Sequence, residues 1–397
     1  MAKSILVVKY GCCDNYVFDL CTELNEKGFK VSLLLVHDKP HFRKPVFDEN
    51  YRKLLVFVDC IYVHLDKDIL AFPLQKMCGL LHRLNTNYHW FTVSPLLVAK
   101  VKKAIRHRVK DFSSIIIFDQ QGLYLAGRAI TKSFEKVLYF SLEIYTPENP
   151  HMRSGGLRGL VAYELAAIAR CKALIIQDEL RARALLSADF EKLKDRIIYL
   201  PVSVREQQHP EKSGYLFEKY GIPKDKKLLL YYGSLYKGRG VELLLEAFRD
   251  YNDPGSVLFF HGYKKDAALP EGDNIRVSSE LVNFDEIYKI ITSCHIGFAI
   301  YPNDDLNNRL TGFSSEKVAR YTQCGVPFIA LRNESYEKLQ REFLCCELMD
   351  DFSQLAAAVQ KINAAYDTYR TNAFMAFNTY FDFNVASRPL MNFLAAN

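Results

Sequence analysis

Short, nearly unbroken apolar runs alternate with stretches of helical periodicity along the first half of this chain. Residues 4–8 (SILVV) read as a buried strand, 16–27 as a helix closed by Gly28, and 31–36 as a second strand. Further strands are expected at 54–57, 61–64, 114–118, 137–141, 173–177 and 197–201, with helices at 156–171 and 178–186. Apolar strands of this length, separated by helical material, predict an α/β fold with a doubly wound parallel sheet. The polar run 202–214 (VSVREQQHPEKSG) has the composition of a linker, which puts a domain boundary near residue 203.

The pattern then repeats. LLLYYGSLYKGRGVELLLEAF, residues 228–248, is a strand, a glycine-punctuated loop and a helix with Val241, Leu244, Leu245 and Phe248 on one stripe. Residues 257–262 (VLFFHG) form another strand, and 283–302 a helix followed by a strand. In 312–330 (GFSSEKVARYTQCGVPFIA), Ser314 and Ser315 are expected N-caps and Glu316 lies in the first turn. Gly325 and Pro327 stop that helix ahead of a strand at 326–330. A last helix is expected at 381–393.

Composition narrows the class. With 397 residues, 49% hydrophobic and 25% charged, the chain is globular material for two domains. The N-terminal apolar run is too short for a signal peptide, and no run reaches the eighteen or so apolar residues of a spanning helix, so a cytoplasmic protein is expected. Ten scattered cysteines without a CxxC spacing argue against a metal centre or a disulfide framework. A net charge of +6 permits an anionic ligand or membrane surface, and the basic runs interleaved with aromatics of a nucleic-acid binder are missing. Residues 96–110 (LLVAKVKKAIRHRVK) form an amphipathic basic helix, either a solvated surface or a peripheral contact with the inner face of a membrane.

Candidate chemistry lies at strand ends. Gly233, Gly238 and Gly240 let a backbone approach a ligand, and Lys237 and Arg239 add charge where ligands gather in such sheets. The N-terminus of the helix after Phe313, Ser314 and Ser315 suits a phosphate, although any well-capped helix would look alike. Asp119 and Glu143 follow two strands of the first half, positions from which a carboxylate faces a ligand crevice or caps the next turn. Asp304 and Asp305, between Asn and Pro, read as a turn rather than a metal site.

Together these stretches resemble the C-terminal domain of family 4 glycosyltransferases of the GT-B fold. There a strand ending in Gly leads through a basic loop into a "KGVDLLLEAF"-like helix, and a "SKLFEYMACGVPVIA"-like segment closes the nucleotide-sugar site. The resemblance implies two Rossmann-like domains facing a central cleft: residues 1–203 on the acceptor side, with a C-terminal helix 384–397 folding back onto them, and 204–383 as the donor domain. It implies a retaining transferase; Lys237, Arg239 and the N–H groups at Phe313 to Ser315 can neutralise the leaving group themselves and no DxD-type strand end is present, so metal-independent transfer without a separate cofactor is expected. The donor would be a nucleotide sugar such as a UDP- or GDP-sugar, the acceptor a glycan or lipid-linked molecule in surface polysaccharide biosynthesis. Gly233, Ser234, Lys237, Arg239, Gly240, Gly262, Phe313, Ser314, Ser315, Glu316 and Arg320 would bind the donor, and Asp119 and Glu143 would line the acceptor side as catalytic candidates. The pattern departs from the family in several places. Ser234 stands where Arg often follows the glycine, and Arg239-Gly240 replaces Lys-Gly. Gly312 and Arg320 stand where two glutamates are usual, so Glu316 either bonds the ribose or pairs with Arg320 at i,i+4. Gln120 or Gln121 lies near the place of a frequent crevice histidine. A nucleotide-sugar epimerase of the same fold, or a non-catalytic two-domain sugar or nucleotide binder, are the alternatives.

Overall fold

The computed structural model describes residues 3–37, 45–64, 88–131, 133–145, 155–205, 211–236, 238–263, 269, 272, 274–302 and 305–396. Two compact units result, Met1–Leu200 with Ser387–Asn397, and Pro201–Ala386. Each is built on one parallel sheet.

The first unit holds β1 (Ser4–Tyr10), β2 (Lys30–His37), β3 (Asp59–His64), β4 (Ser114–Phe118), β5 (Val137–Phe140), β6 (Ala173–Ile176) and β7 (Ile197–Tyr199) in the order β3-β2-β1-β4-β5-β6-β7. β1, β4, β5 and β6 are almost entirely buried, the consequence of helices on both faces of a parallel sheet. The strand order reverses between β1 and β4. That is a switch point, where the loops leaving adjacent strands diverge and open a crevice. The last helix, Arg388–Ala396, belongs to this unit: Lys3 Nζ donates to the carbonyls of Leu394 (3.2 Å) and Ala395 (2.6 Å).

The second unit holds β8 (Lys227–Tyr232), β9 (Ser256–His261), β10 (Ile275–Ser278), β11 (Ile296–Ala299), β12 (Phe328–Leu331) and β13 (Cys346–Met349) in the order β10-β9-β8-β11-β12-β13. Its switch point lies between β8 and β11. Alternation along the strands feeds two cores: Leu228, Leu230, Val257 and Phe259 pack under the helix Glu316–Gln323, and Leu229, Tyr231, Leu258 and Phe260 under the helix Val241–Tyr251.

Three expected elements are corrected. Residues 54–57 form no strand: Leu54 ends the helix Pro45–Leu54, and the amides of Phe57 and Val58 return to its carbonyl. Val56 is 86% exposed, so this short apolar run lacks the burial that a central strand needs. The basic helix runs Tyr88–Ile105 rather than 96–110, and a separate tight turn follows at Val109–Asp111. Leu97, Val101 and Ile105 are buried as its stripe predicts. The expected helix 381–393 is broken. Val204 and the 381–383 segment exchange backbone bonds, Val204 N–H to Phe381 O and Phe383 N–H to Val204 O, which holds Asp382 extended and leaves only a short helix, Phe383–Ala386, between Phe377–Phe381 and Arg388–Ala396.

Candidate functional site

At the switch point of the first sheet, Asp119 directly follows β4 with φ of +56°, a left-handed conformation that Asp tolerates better than most residues. The turn aims its carboxylate across the strand ends. Oδ2 accepts from Lys9 Nζ at the end of β1 (2.9 Å), and Oδ1 from the Leu142 N–H beyond β5 (3.1 Å). Lys9 also meets Asp14 at 3.2 Å. Burial alone would lower the Lys9 pKa, but the two carboxylates outweigh it and hold the ammonium above its usual pKa. Asp119 is therefore engaged as a clamp across three strands, while the Glu143 side chain is exposed. Gln120 lies behind them, donating to the Glu143 carbonyl (2.7 Å) and to Glu164 Oε1 (3.2 Å).

Glu164, on the helix Gly155–Ile168, is completely buried and also accepts from the Tyr139 hydroxyl. Burial pushes its carboxyl from the ordinary 4.5 up to about 8; the bonds from Tyr139 and Gln120 pull it back only in part. The folded state thus keeps a proton that the unfolded chain gives up near 4.5. Stability from this group falls as pH rises through that window, by at most about 1.4 kcal/mol per pH unit, and levels off above the folded pKa. Urea midpoints measured across the window should show this slope in the native chain and lose it in Glu164→Gln. An identical slope in the variant would assign the titration to another group.

In the second sheet, Gly233 follows β8 and Gly262 follows β9, with the Gly233 N–H bonded to His261 O at 2.9 Å. The two glycines touch. A Cβ on Gly262, whose φ is +151°, would lie 1.7 Å from the Gly233 carbonyl oxygen, so only glycine leaves the strand ends this close. Ser234 is exposed, with its carbonyl accepting from the Tyr231 hydroxyl at 3.4 Å. Lys237 and Asp304 lie outside the described residues. Arg239 donates through Nε to the Tyr236 hydroxyl (2.8 Å) and lies 5.1 Å from that ring. Gly240, in the left-handed conformation with φ of +75°, then caps the helix Val241–Tyr251.

Opposite this loop lies the start of the helix Glu316–Gln323. Ser315 alone is the N-cap, accepting from Val318 N–H and sharing a 2.7 Å bond with the Tyr301 hydroxyl. Ser314 does not cap: its N–H donates to Thr311 O and its hydroxyl to Leu310 O, both in the preceding turn. The Phe313 ring is buried in the core, stacked on Phe381. Gly312 packs so tightly on Ser335 that a Cβ would meet its Oγ at 2.5 Å, which explains why a larger residue is excluded there. Arg320, only 3% exposed, donates to Glu316 through Nε and Nη2, both at 2.8 Å, and to the Tyr288 hydroxyl through Nη1 at 3.2 Å. The pair is thus anchored in the interior at its arginine end.

Besides Lys9, two residues here escape sequence reading. Lys317 runs back along Gly233, its Nζ 3.4 Å from the position of a Cβ there, and lies over the rings of Tyr301 (4.3 Å) and Tyr231 (4.7 Å). Desolvation, and then the charge of Arg239, pull its pKa down to about 7. Among the described residues, neither Lys317 nor Arg239 has a carboxylate partner. Glu164 is the other, hidden on a helix face where a single buried acid leaves no periodic signal. The structure thus gathers Gly233, Gly262, Arg239, Lys317 and Ser315 at the end of the second sheet. Asp119, Lys9 and the Glu143 backbone are gathered in the first.

Neither a family model nor a curated protein sequence matches this chain. Solved structures do. HepE of Anabaena in complex with UDP superposes with a TM-score of 0.66 at 15% identity, over the full length of both chains. Sucrose-phosphate synthase of Thermosynechococcus elongatus gives 0.65 at 14%, again over both whole chains. A UDP-N-acetylglucosamine 2-epimerase gives 0.61 at 11%, covering 100% of this chain and 97% of its own. At such identities the likeness speaks for architecture alone, and the chain adopts the GT-B fold, two Rossmann-like domains each on a parallel sheet.

Proposed function

We propose that this protein is a glycosyltransferase that uses a nucleotide-sugar donor. One observation carries the reading: among the described residues two cations without carboxylate partners act on each other at a switch point, Lys317 lying along the strand-end glycine Gly233 and Arg239 in the loop that follows. A diphosphate fits that arrangement. Glycosyl transfer requires a nucleoside diphosphate to depart while the anomeric carbon turns oxocarbenium-like, and fixed positive charge at the leaving group lowers that barrier. Such charge supports metal-independent transfer, and the resemblance of the donor-side motifs supports retention. On the first domain we assign the acceptor hydroxyl to the exposed Glu143, with Asp119 holding the strand ends that present it. A glycan or lipid-linked acceptor in surface polysaccharide synthesis is the substrate class we favour.

The test is release of nucleoside diphosphate from a panel of UDP- and GDP-sugars, with and without glycan or lipid-linked acceptors, in excess EDTA. Acceptor-stimulated release supports the reading. Donor binding without release, in every combination and with added magnesium, would favour a non-catalytic sugar or nucleotide binder, which the glycine and arginine at the two family glutamate positions make the second reading.

The basic helix bears on where the acceptor is met. Lys100 is bonded to His64 O and Arg108 to Asp59, whereas Lys102, Lys103 and Arg106 are exposed and, among the described residues, unpaired. We assign these three to an anionic membrane surface, each worth on the order of 1 kcal/mol there. The protein should sediment with anionic vesicles and not with neutral ones, and lose them at high salt, since screening acts over about 10 Å at 0.1 M. Equal sedimentation with both vesicle types would remove the membrane role.

A further inference from the structure

We propose that Lys317 is a charge-selective latch for the diphosphate: held between two aromatic rings without a counter-charge, it takes up a proton as the diphosphate seats at Gly233. This deepens the functional reading above and rests on it.

The geometry is unusual for a lysine in the first turn of a helix, which ordinarily extends into water. Here the side chain folds back along Gly233, and its ammonium is placed over Tyr231 from β8 and Tyr301 from the segment after β11. The charged group nearest in effect is Arg239, from the loop ahead of the helix Val241–Tyr251, and it repels. Its own helix offers Glu316, but that carboxylate is spent on Arg320. Glu242, at the start of the Val241–Tyr251 helix, acts on Tyr231 and is not an ion-pair partner of Lys317. Ring quadrupoles recover only part of the lost hydration of an ammonium. Desolvation and Arg239 therefore leave the free site with a lysine near half-protonation at neutral pH, its pKa about 7.

A diphosphate reverses the balance. Its oxygens bring the anion that the site lacks, and a phosphate beside an ammonium favours the charged form. The proton must come from solution. Near pH 8 the terminal phosphate, with a second pKa of about 6, is already ionised and cannot supply it. Binding should therefore consume close to one proton near pH 8, and progressively less toward pH 6. A lysine that is neutral before binding and charged afterwards also disfavours ligands without a dense negative charge, because these cannot draw the proton in.

The experiment is calorimetric titration of the whole protein with UDP and with GDP near pH 8, in two buffers of different ionisation enthalpy. Wild type should give apparent enthalpies that differ by the buffer difference times about one proton. Lys317→Met should lose that dependence and bind about tenfold or more weakly, as expected for a lost charged hydrogen bond. Lys317→Arg, charged at every working pH, should bind without proton uptake and with a flat pH profile. Identical wild-type enthalpies in both buffers, or uptake that persists in Lys317→Arg, would overturn the latch while leaving the diphosphate site standing. Absence of binding by either nucleotide to the folded wild type would overturn the functional reading and the latch with it.

Discussion

Replacing Arg239 with alanine should weaken binding of a nucleoside diphosphate by at least about tenfold while leaving the melting temperature close to that of the native chain. A charged hydrogen bond to a phosphate contributes about 1.5–3 kcal/mol, which corresponds to a factor of ten or more in affinity. Against this, the side chain contributes little to the fold. It is half-buried, and its bond to the Tyr236 hydroxyl joins residues of the same loop. Arg239→Lys should fall between, since an ammonium keeps the charge and gives up the planar fork that grips two oxygens. Removing Arg239 also removes the repulsion on Lys317, so the alanine variant should show less proton uptake for the ligand that still binds. Unchanged affinity by calorimetry would take Arg239 out of the site.

A larger effect on stability is expected from Gly262→Ala. The added methyl would overlap the Gly233 carbonyl oxygen, and that oxygen belongs to backbone that cannot rotate away as a side chain would. Relief requires β8 and β9 to part at their ends, or Gly233 to move. We expect a loss of about 3 kcal/mol or more, the range reached only by core disruption or backbone strain. The same movement displaces the strand end beside Lys317 and should abolish diphosphate binding in whatever fraction stays folded. Urea unfolding gives the measurement. A midpoint within error of the native value would mean that Gly262 and the Gly233 carbonyl do not pack against each other in solution.

Much of the architecture was legible because parallel strands covered on both faces must be apolar throughout, and SILVV, SIIIF and LLLYY have that property. The reading failed where an apolar run was not buried, at 54–57, and where a long-range backbone exchange with Val204 overrode helical periodicity near 382. Glycine spacing marked the loop after β8 as a place where backbone meets a ligand; what the structure adds is close packing within the protein, Gly262 against the Gly233 carbonyl and Gly240 against Ile300. Side-chain direction was out of reach. Nothing in SSEKVARY says that Lys317 turns inward toward a tyrosine of β8 and another after β11, since lysine at such a place is usually solvated. The pairing of Glu316 with Arg320 could be read from its i,i+4 spacing. The deep burial of the arginine could not, because it depends on Tyr288 arriving from a different helix.

The return of Arg388–Ala396 to the first unit has a consequence for how the protein is made. Residues 201–386 form one uninterrupted piece, whereas the first unit is assembled from both ends of the chain. All seven of its strands have left the ribosome long before the closing helix that holds Lys3 has been synthesised. Nascent chains fold from the N-terminus as they emerge. The surface of the first unit that this helix covers, β7 included, therefore stays open while the whole second unit is translated.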